Sequence, residues 1–122
     1  MQSDIVQLYR DHSRIKQLIP SSESAMEIVK ELSISRGWRE RCSAAVVVKE
    51  FGLLEQIPIL IETFKLNPEI NTCRYFTEMI HYLKPAAALQ YLEAMKSACL
   101  NDERGRVLIR KIEDAINKLH QP

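Results

Sequence analysis

Glycine is scarce in this chain, with three in 122 residues, and proline is modest, with five. An all-β fold built on many tight turns is excluded by that count alone. An excess of charge of one sign is also missing. Seventeen Lys+Arg stand against 16 Asp+Glu, a formal net charge of +1. The whole molecule therefore exerts no global pull toward nucleic acid, acidic membranes or acidic substrates. Long apolar runs are absent too. The stretch Ile57 to Ile61 is five residues long and includes Pro58, far short of the roughly 20 apolar residues a membrane-spanning helix needs. The start, Met1-Gln2-Ser3-Asp4, has no basic segment leading into an apolar run, so no secretory signal is expected. Cysteine is sparse and odd in number: Cys42, Cys73 and Cys99, separated by 31 and 26 residues. That is neither a disulfide framework nor a zinc-type spacing. Free, reduced, buried thiols are expected, and with them a cytoplasmic protein.

What is present is an apolar content of 46% and a charged content of 27%, the balance of an ordinary globular protein. The length predicts one domain over 1–122. Apolar spacing is helical nearly everywhere. A first helix is expected over about 4–19, through Ile5, Leu8, Tyr9, Ile15, Leu18 and Ile19, ended by Pro20-Ser21-Ser22. A second spans about 23–33. The third, about 38–51, holds Cys42, Ala44, Ala45, Val46, Val47, Val48 and Phe51, with Gly52 as its stop. The fourth, about 54–66, puts Ile57, Leu60, Ile61 and Phe64 at i, i+3, i+4, i+7 and carries Pro58 in its first turn. Asn67-Pro68 opens a fifth that reads to Leu83 through Ile70, Cys73, Phe76, Met79 and Ile80. A sixth, about 86–100, turns Leu89, Leu92, Met95 and Cys99 inward. Asn101-Asp102-Glu103 caps a seventh over about 103–119, with Val107, Leu108, Ile109, Ile112, Ile116 and Leu119. Seven helices and no strand predict an all-α fold.

The chain also resembles itself. An offset of 31 lays Cys42 on Cys73, Ala45 on Phe76, Val48 on Met79, Phe51 on Tyr82, Ile61 on Leu92, Glu62 on Glu93, Phe64 on Met95 and Lys65 on Lys96. Segments 38–66 and 69–99 behave as two copies of one helical hairpin, 4–34 as a more degenerate copy, and 103–119 as a covering helix.

Arg41-Cys42-Ser43-Ala44-Ala45-Val46-Val47-Val48 with Phe51-Gly52 resembles the first helix of a HEAT repeat of the short phycobilisome-lyase type, R-x-x-A-A-x-A-L followed by a leucine and a glycine. Glu55 through Phe64 is similar to that family's second helix, and Asn67-Pro68-Glu69-Ile70 to the D-P-E-V that opens its next unit. Over about 41–70 the resemblance is close. The second copy departs from it, with Thr72 in place of the arginine and Tyr75-Phe76 in place of the small pair, which should splay its helices or alter their crossing. The resemblance implies an α-α superhelix of three hairpins with a concave face lined by the second helix of each pair. Glu55, Ile59, Glu62, Thr63, Gln90, Glu93 and Lys96 would look across that face.

Chemistry-bearing motifs are missing. The histidines at 12, 81 and 120 lie on different helices without partners at metal-ligand spacing. No phosphate-binding glycine loop and no nucleophile elbow occurs. Neither a metal nor a cofactor is expected, and the chain reads as no enzyme. Arg36, Arg39 and Arg41, and later Arg104, Arg106, Arg110 and Lys111, form two local basic clusters. Acidic residues are interspersed among them, Trp38 is the one aromatic nearby, and the resemblance implies a structural arginine at Arg41, so a nucleic-acid surface is the lesser reading. Trp38 itself fits a hydrophobic lid under the inter-hairpin loop, with a binding hot spot as its functional alternative. The expected activity is binding of another protein through the concave face (Glu55, Ile59, Glu62, Gln90, Glu93, Lys96) and through Trp38 with Arg39. Adaptor, scaffold and immunity-type inhibitor are all compatible with that reading. The alternatives are a nucleic-acid-binding helical repeat or a lyase-type subunit holding a tetrapyrrole or similar ligand.

Overall fold

A computed structural model describes residues 3–121. Met1, Gln2 and Pro122 lie outside the described residues, and with them the first two positions of the N-terminal signal reading. Eight α-helices occur among the described residues, with no strand: α1 (Ser3–Val6), α2 (Ile15–Leu18), α3 (Ser22–Ser33), α4 (Trp38–Phe51), α5 (Ile57–Leu66), α6 (Ile70–Leu83), α7 (Ala88–Leu100) and α8 (Ile109–Leu119). Short 3-10 turns at Gln7–Tyr9, His12–Arg14, Leu54–Gln56 and Glu103–Leu108 join them. The all-α expectation holds.

The arrangement is organised by α4, which buries every residue from Arg41 to Val48. A helix enclosed on all sides must have neighbours on all sides. Here they are α1, the turn Gln7–Tyr9, α3, α5 and α6. Ala44 and Ala45 keep the distances short, because a methyl side chain lets helices approach closely. Further along, α5 packs on α7, α7 on α8, and α6 on α8. One contiguous core runs from Ile5 to Ile112.

The helix boundaries follow local chemistry. Ser21 caps α3, its hydroxyl oxygen accepting from the Ser24 amide at 3.1 Å. Pro58 sits in the first turn of α5, where its missing N–H is no loss. Gly52 ends α4 with φ 66°, and the amides of Gly52 and Leu53 both return to the Val48 carbonyl. The cap of α6 is the Glu69 carboxylate, which accepts from the amides of Asn71 and Thr72 at 3.0 Å each.

Two predicted helices differ from the expectation. The helix read over 4–19 is broken into α1, two 3-10 turns and α2. At the break, Asp11 is extended (φ −136°, ψ 97°), and its Oδ1 accepts from the Ser13 amide at 3.1 Å and the Ser13 hydroxyl at 2.6 Å. This aspartate cap competes with the helix ladder. From Arg10 to Arg14 no apolar side chain exists to hold a helical face inward. The last helix starts as a 3-10 turn, Glu103–Leu108, because the chain passes tightly over α7. A Cβ on Gly105 would lie 2.8 Å from Cys99 Cα. The change in winding turns Leu108 inward and Val107 out to solvent, contrary to its expected place on the apolar face. Ile70 and Leu89 are also exposed rather than inward: Ile70 opens α6, and Leu89 falls beside the buried arc of Ala88, Leu92, Met95 and Cys99.

Candidate functional site

Trp38 is half-buried at the start of α4. Its ring meets Tyr9 edge-to-face, with centroids 5.3 Å apart and planes at 71°, while the Arg39 guanidinium lies 4.6 Å over the ring. Tyr9 in turn meets Tyr75 edge-to-face at 6.2 Å. The Tyr75 hydroxyl donates to the Tyr9 carbonyl at 2.9 Å. Buried Ser43 donates to the Val6 carbonyl at 2.7 Å and accepts from the Tyr9 amide at 3.1 Å. These bonds replace those the broken N-terminal helix gives up, so the aromatic trio fastens the turn Gln7–Tyr9 onto α4 and α6. Exposed Arg39 is the part of this cluster that faces solvent.

The other expected contact residues are all at the surface but do not share one recess. Glu55 lines a small cleft with Met26, Leu53 and Leu54. Glu62 pairs with Lys65 at 3.1 Å on its own helix. Gln90 is exposed on α7. Lys96 reaches across to Glu113 on α8 at 3.3 Å, and it lines a shallow polar cleft with Glu93 and Arg110. Ile59 belongs to a larger groove that also carries Ile34 and Leu66.

That groove, about 610 Å³, lies where the C-terminal ends of α3 and α5 come beside the start of α4 and the turn Glu103–Leu108. Ile34 is 84% exposed, Leu66 84% and Ile59 38%. Among them stand Arg36, Arg41 and Arg104. Thr63 also lines it, but its hydroxyl is spent on the Leu60 carbonyl at 2.7 Å. No carboxylate lines the groove. Arg104 is held by Asp102 through contacts of 2.9 and 3.3 Å. Arg36 makes no ion pair or side-chain hydrogen bond among the described residues.

Arg41 is the unusual member, because it is only 3% exposed. Its Nε donates to the Gly37 carbonyl at 3.4 Å, and its Nη2 has no hydrogen-bond partner among the described residues. Burial pushes its guanidinium below the usual arginine value, while Glu69 and other nearby groups act in the opposite direction. A guanidinium remains charged through the biological range, and a buried donor left unmade is expensive. Sequence reasoning placed Ile59, Thr63 and the arginines but did not bring them together. The one local signal was that Ile34 and Leu66 are apolar side chains standing just past the inward arcs of α3 and α5.

The thiols of Cys42, Cys73 and Cys99 are free and buried. Desolvation pushes Cys42 and Cys73 up to about 12, and raises Cys99 as well. Among the described residues, no group of three or more His, Cys, Asp or Glu side chains is placed to hold a metal ion. No described helix is long and apolar enough to cross a membrane. Comparison with protein-family models, curated proteins and solved structures finds no match to this chain.

Proposed function

We propose that this chain is a non-catalytic protein-interaction module built from HEAT-like helix pairs, and that it binds its partner at the groove between α3, α4 and α5. The observation that carries this reading is the clustering of three exposed aliphatic side chains, Ile34, Ile59 and Leu66, in one recess rimmed by arginines. Single exposed apolar residues are commonplace on a folded protein, whereas a contiguous apolar recess with a polar rim is the anatomy of a contact surface. The concave-face reading keeps Ile59 as a contact residue and gives Glu55, Glu62, Gln90, Glu93 and Lys96 peripheral places. Trp38 acts mainly by holding the N-terminal turn.

Support for the HEAT-like part comes from the 31-residue offset. Under it, Cys42 and Cys73, Val48 and Met79, Ile57 and Ala88, Ile61 and Leu92, and Phe64 and Met95 are buried in both copies. In addition, α4 packs on α6 while α5 packs on α7, as adjacent units of a stacked array would.

The test is affinity capture from a lysate of the cells that encode the chain, with and without nuclease, using the wild type and Leu66→Asp. A stoichiometric protein that survives nuclease and is lost with Leu66→Asp is the expected result. Loss of every partner on nuclease treatment would instead assign the basic clusters to nucleic acid.

A further inference from the structure

We infer that the groove beside Arg41 takes an acidic peptide segment, with an Asp or Glu carboxylate seated against Arg41 and Arg36 and a neighbouring aliphatic or aromatic side chain among Ile34, Ile59 and Leu66. This rests on the interaction-module reading and names the chemistry of its partner.

Charge complementarity carries the inference. Three arginines and no carboxylate line the groove; Arg104 is paired with Asp102, Arg41 feels Glu69 from outside the lining, and Arg36 has no ion pair among the described residues. Arg41 is buried with an unused Nη2 donor, and Arg36 is exposed and unpaired among the described residues. A carboxylate accepts from guanidinium groups in a planar, often two-pronged geometry, which exposed Arg36 offers directly and Arg41 backs from beneath the groove surface. Neutral peptide carbonyls would satisfy the donor but leave the charge uncompensated.

The matching copy of the helix pair argues the same way. Under the 31-residue offset the counterpart of Arg41 is Thr72, which is fully buried. Its amide is capped by the Glu69 carboxylate, and its hydroxyl donates to the Glu69 carbonyl at 3.1 Å. A helix pair of this type therefore closes without a guanidinium at that position. At 41 the arginine gives its Nε to the Gly37 carbonyl and leaves Nη2 unmade.

The lining favours a peptide over a polynucleotide. Between the arginines it mixes Ile34, Ile59 and Leu66 with small polar residues, and no aromatic ring on which a base could stack lines it. Ile34, Ile59 and Leu66 supply a floor suited to a Leu, Ile, Met or Phe side chain.

The experiment is a display selection of random dodecapeptides on the full chain. Labelled winners are then titrated by fluorescence polarisation against wild type, Leu66→Asp, Arg36→Glu and Arg41→Gln, with circular dichroism confirming each fold. Leu66 and Arg36 are exposed, so those two variants keep the test alive if Arg41→Gln fails to fold. The proposal expects winners pairing Asp or Glu with a large apolar residue within four positions. It also expects Kd to rise about tenfold or more in every folded variant, and binding to weaken between 50 and 500 mM salt, roughly as exposed charge contacts do. Winners without acidic preference that lose binding only with Leu66→Asp would overturn the acidic ligand and leave the interaction reading standing. No enrichment, or winners indifferent to all three substitutions, would overturn both. So would a labelled 20-nucleotide single strand that binds the wild type and is lost with Arg36→Glu. Concentration-dependent dimerisation abolished by Leu66→Asp would give the groove to a second copy and overturn the peptide.

Discussion

The helix pairs α4–α5 and α6–α7 share several buried positions at the 31-residue offset with different side chains, and part where buried Ser43 and Val47 fall on exposed Arg74 and Glu78. In α4 the layer is made of Ala44, Ala45 and three valines, and the neighbours close in around it. In α6 the corresponding space is filled by Phe76 and Met79, which are fully or almost fully buried, while Tyr75 at the edge spends its hydroxyl on the N-terminal turn. The first pair ends its leading helix on a left-handed glycine, Gly52. The second ends on a left-handed lysine, Lys84, at φ 48°. At the matching polar position, Thr72 is fully satisfied, whereas Arg41 is not. The second pair thus starts its leading helix with every polar group met, and the first starts it with a buried guanidinium whose Nη2 is unmade.

The largest effect should come from the bulky layer. Phe76→Ala is expected to lower the unfolding free energy by about 3–5 kcal/mol, read by urea denaturation. The mirror change, Ala45→Leu, overfills the small layer and should cost about 1–3 kcal/mol. A near-neutral Phe76→Ala would mean that the ring does not fill the core between the layers. Gly105→Ala should cost about 1–3 kcal/mol, since its methyl would press on the Cys99 backbone. A smaller loss would show that the turn Glu103–Leu108 yields readily.

The two helix ends should respond with opposite signs. Gly52→Ala is expected to destabilise and Lys84→Gly to stabilise, each by about 1 kcal/mol, visible as shifts of Tm in different directions. Lowered Tm in both would show that Lys84 makes contacts outweighing its backbone strain.

The thiols separate the pairs least, because Cys42 and Cys73 are alike. At pH 8 a disulfide-exchange reagent should label all three cysteines only after unfolding. An unfolded thiol ionises near its usual 9.0, while Cys42 and Cys73 in the fold hold their protons to about 12. Their shared contribution is therefore complete below pH 9 and is lost as pH rises toward 12. Prompt labelling of the native chain would contradict that burial.

The helices from α3 to α7 were legible because their signals are local: a serine cap at Ser21, a proline in the first turn at Pro58, a glycine stop at Gly52. The N-terminal break was not, because hydrophobic spacing registers Ile5, Leu8 and Ile15 but is blind to an aspartate that hydrogen-bonds its own loop. Ile59 was legible as an outward isoleucine on an otherwise amphipathic helix. The groove around it was not, since Arg36, Leu66 and Arg104 come from separate segments and meet only through packing. Nor does any local pattern reveal that Arg41 is buried without a full set of partners, because Glu69 is committed to capping α6 and only the folded chain shows it.

The central claim is that Arg41 is held for a ligand rather than for the fold, and the direct measurement is the urea-unfolding free energy of Arg41→Met without any ligand. Methionine keeps the apolar stem and removes a desolvated guanidinium with an unmade donor, so stability should be unchanged or higher. A loss of about 3 kcal/mol or more, the mark of a broken buried pair, would show that Arg41 is a structural partner of its neighbours and contradict the account.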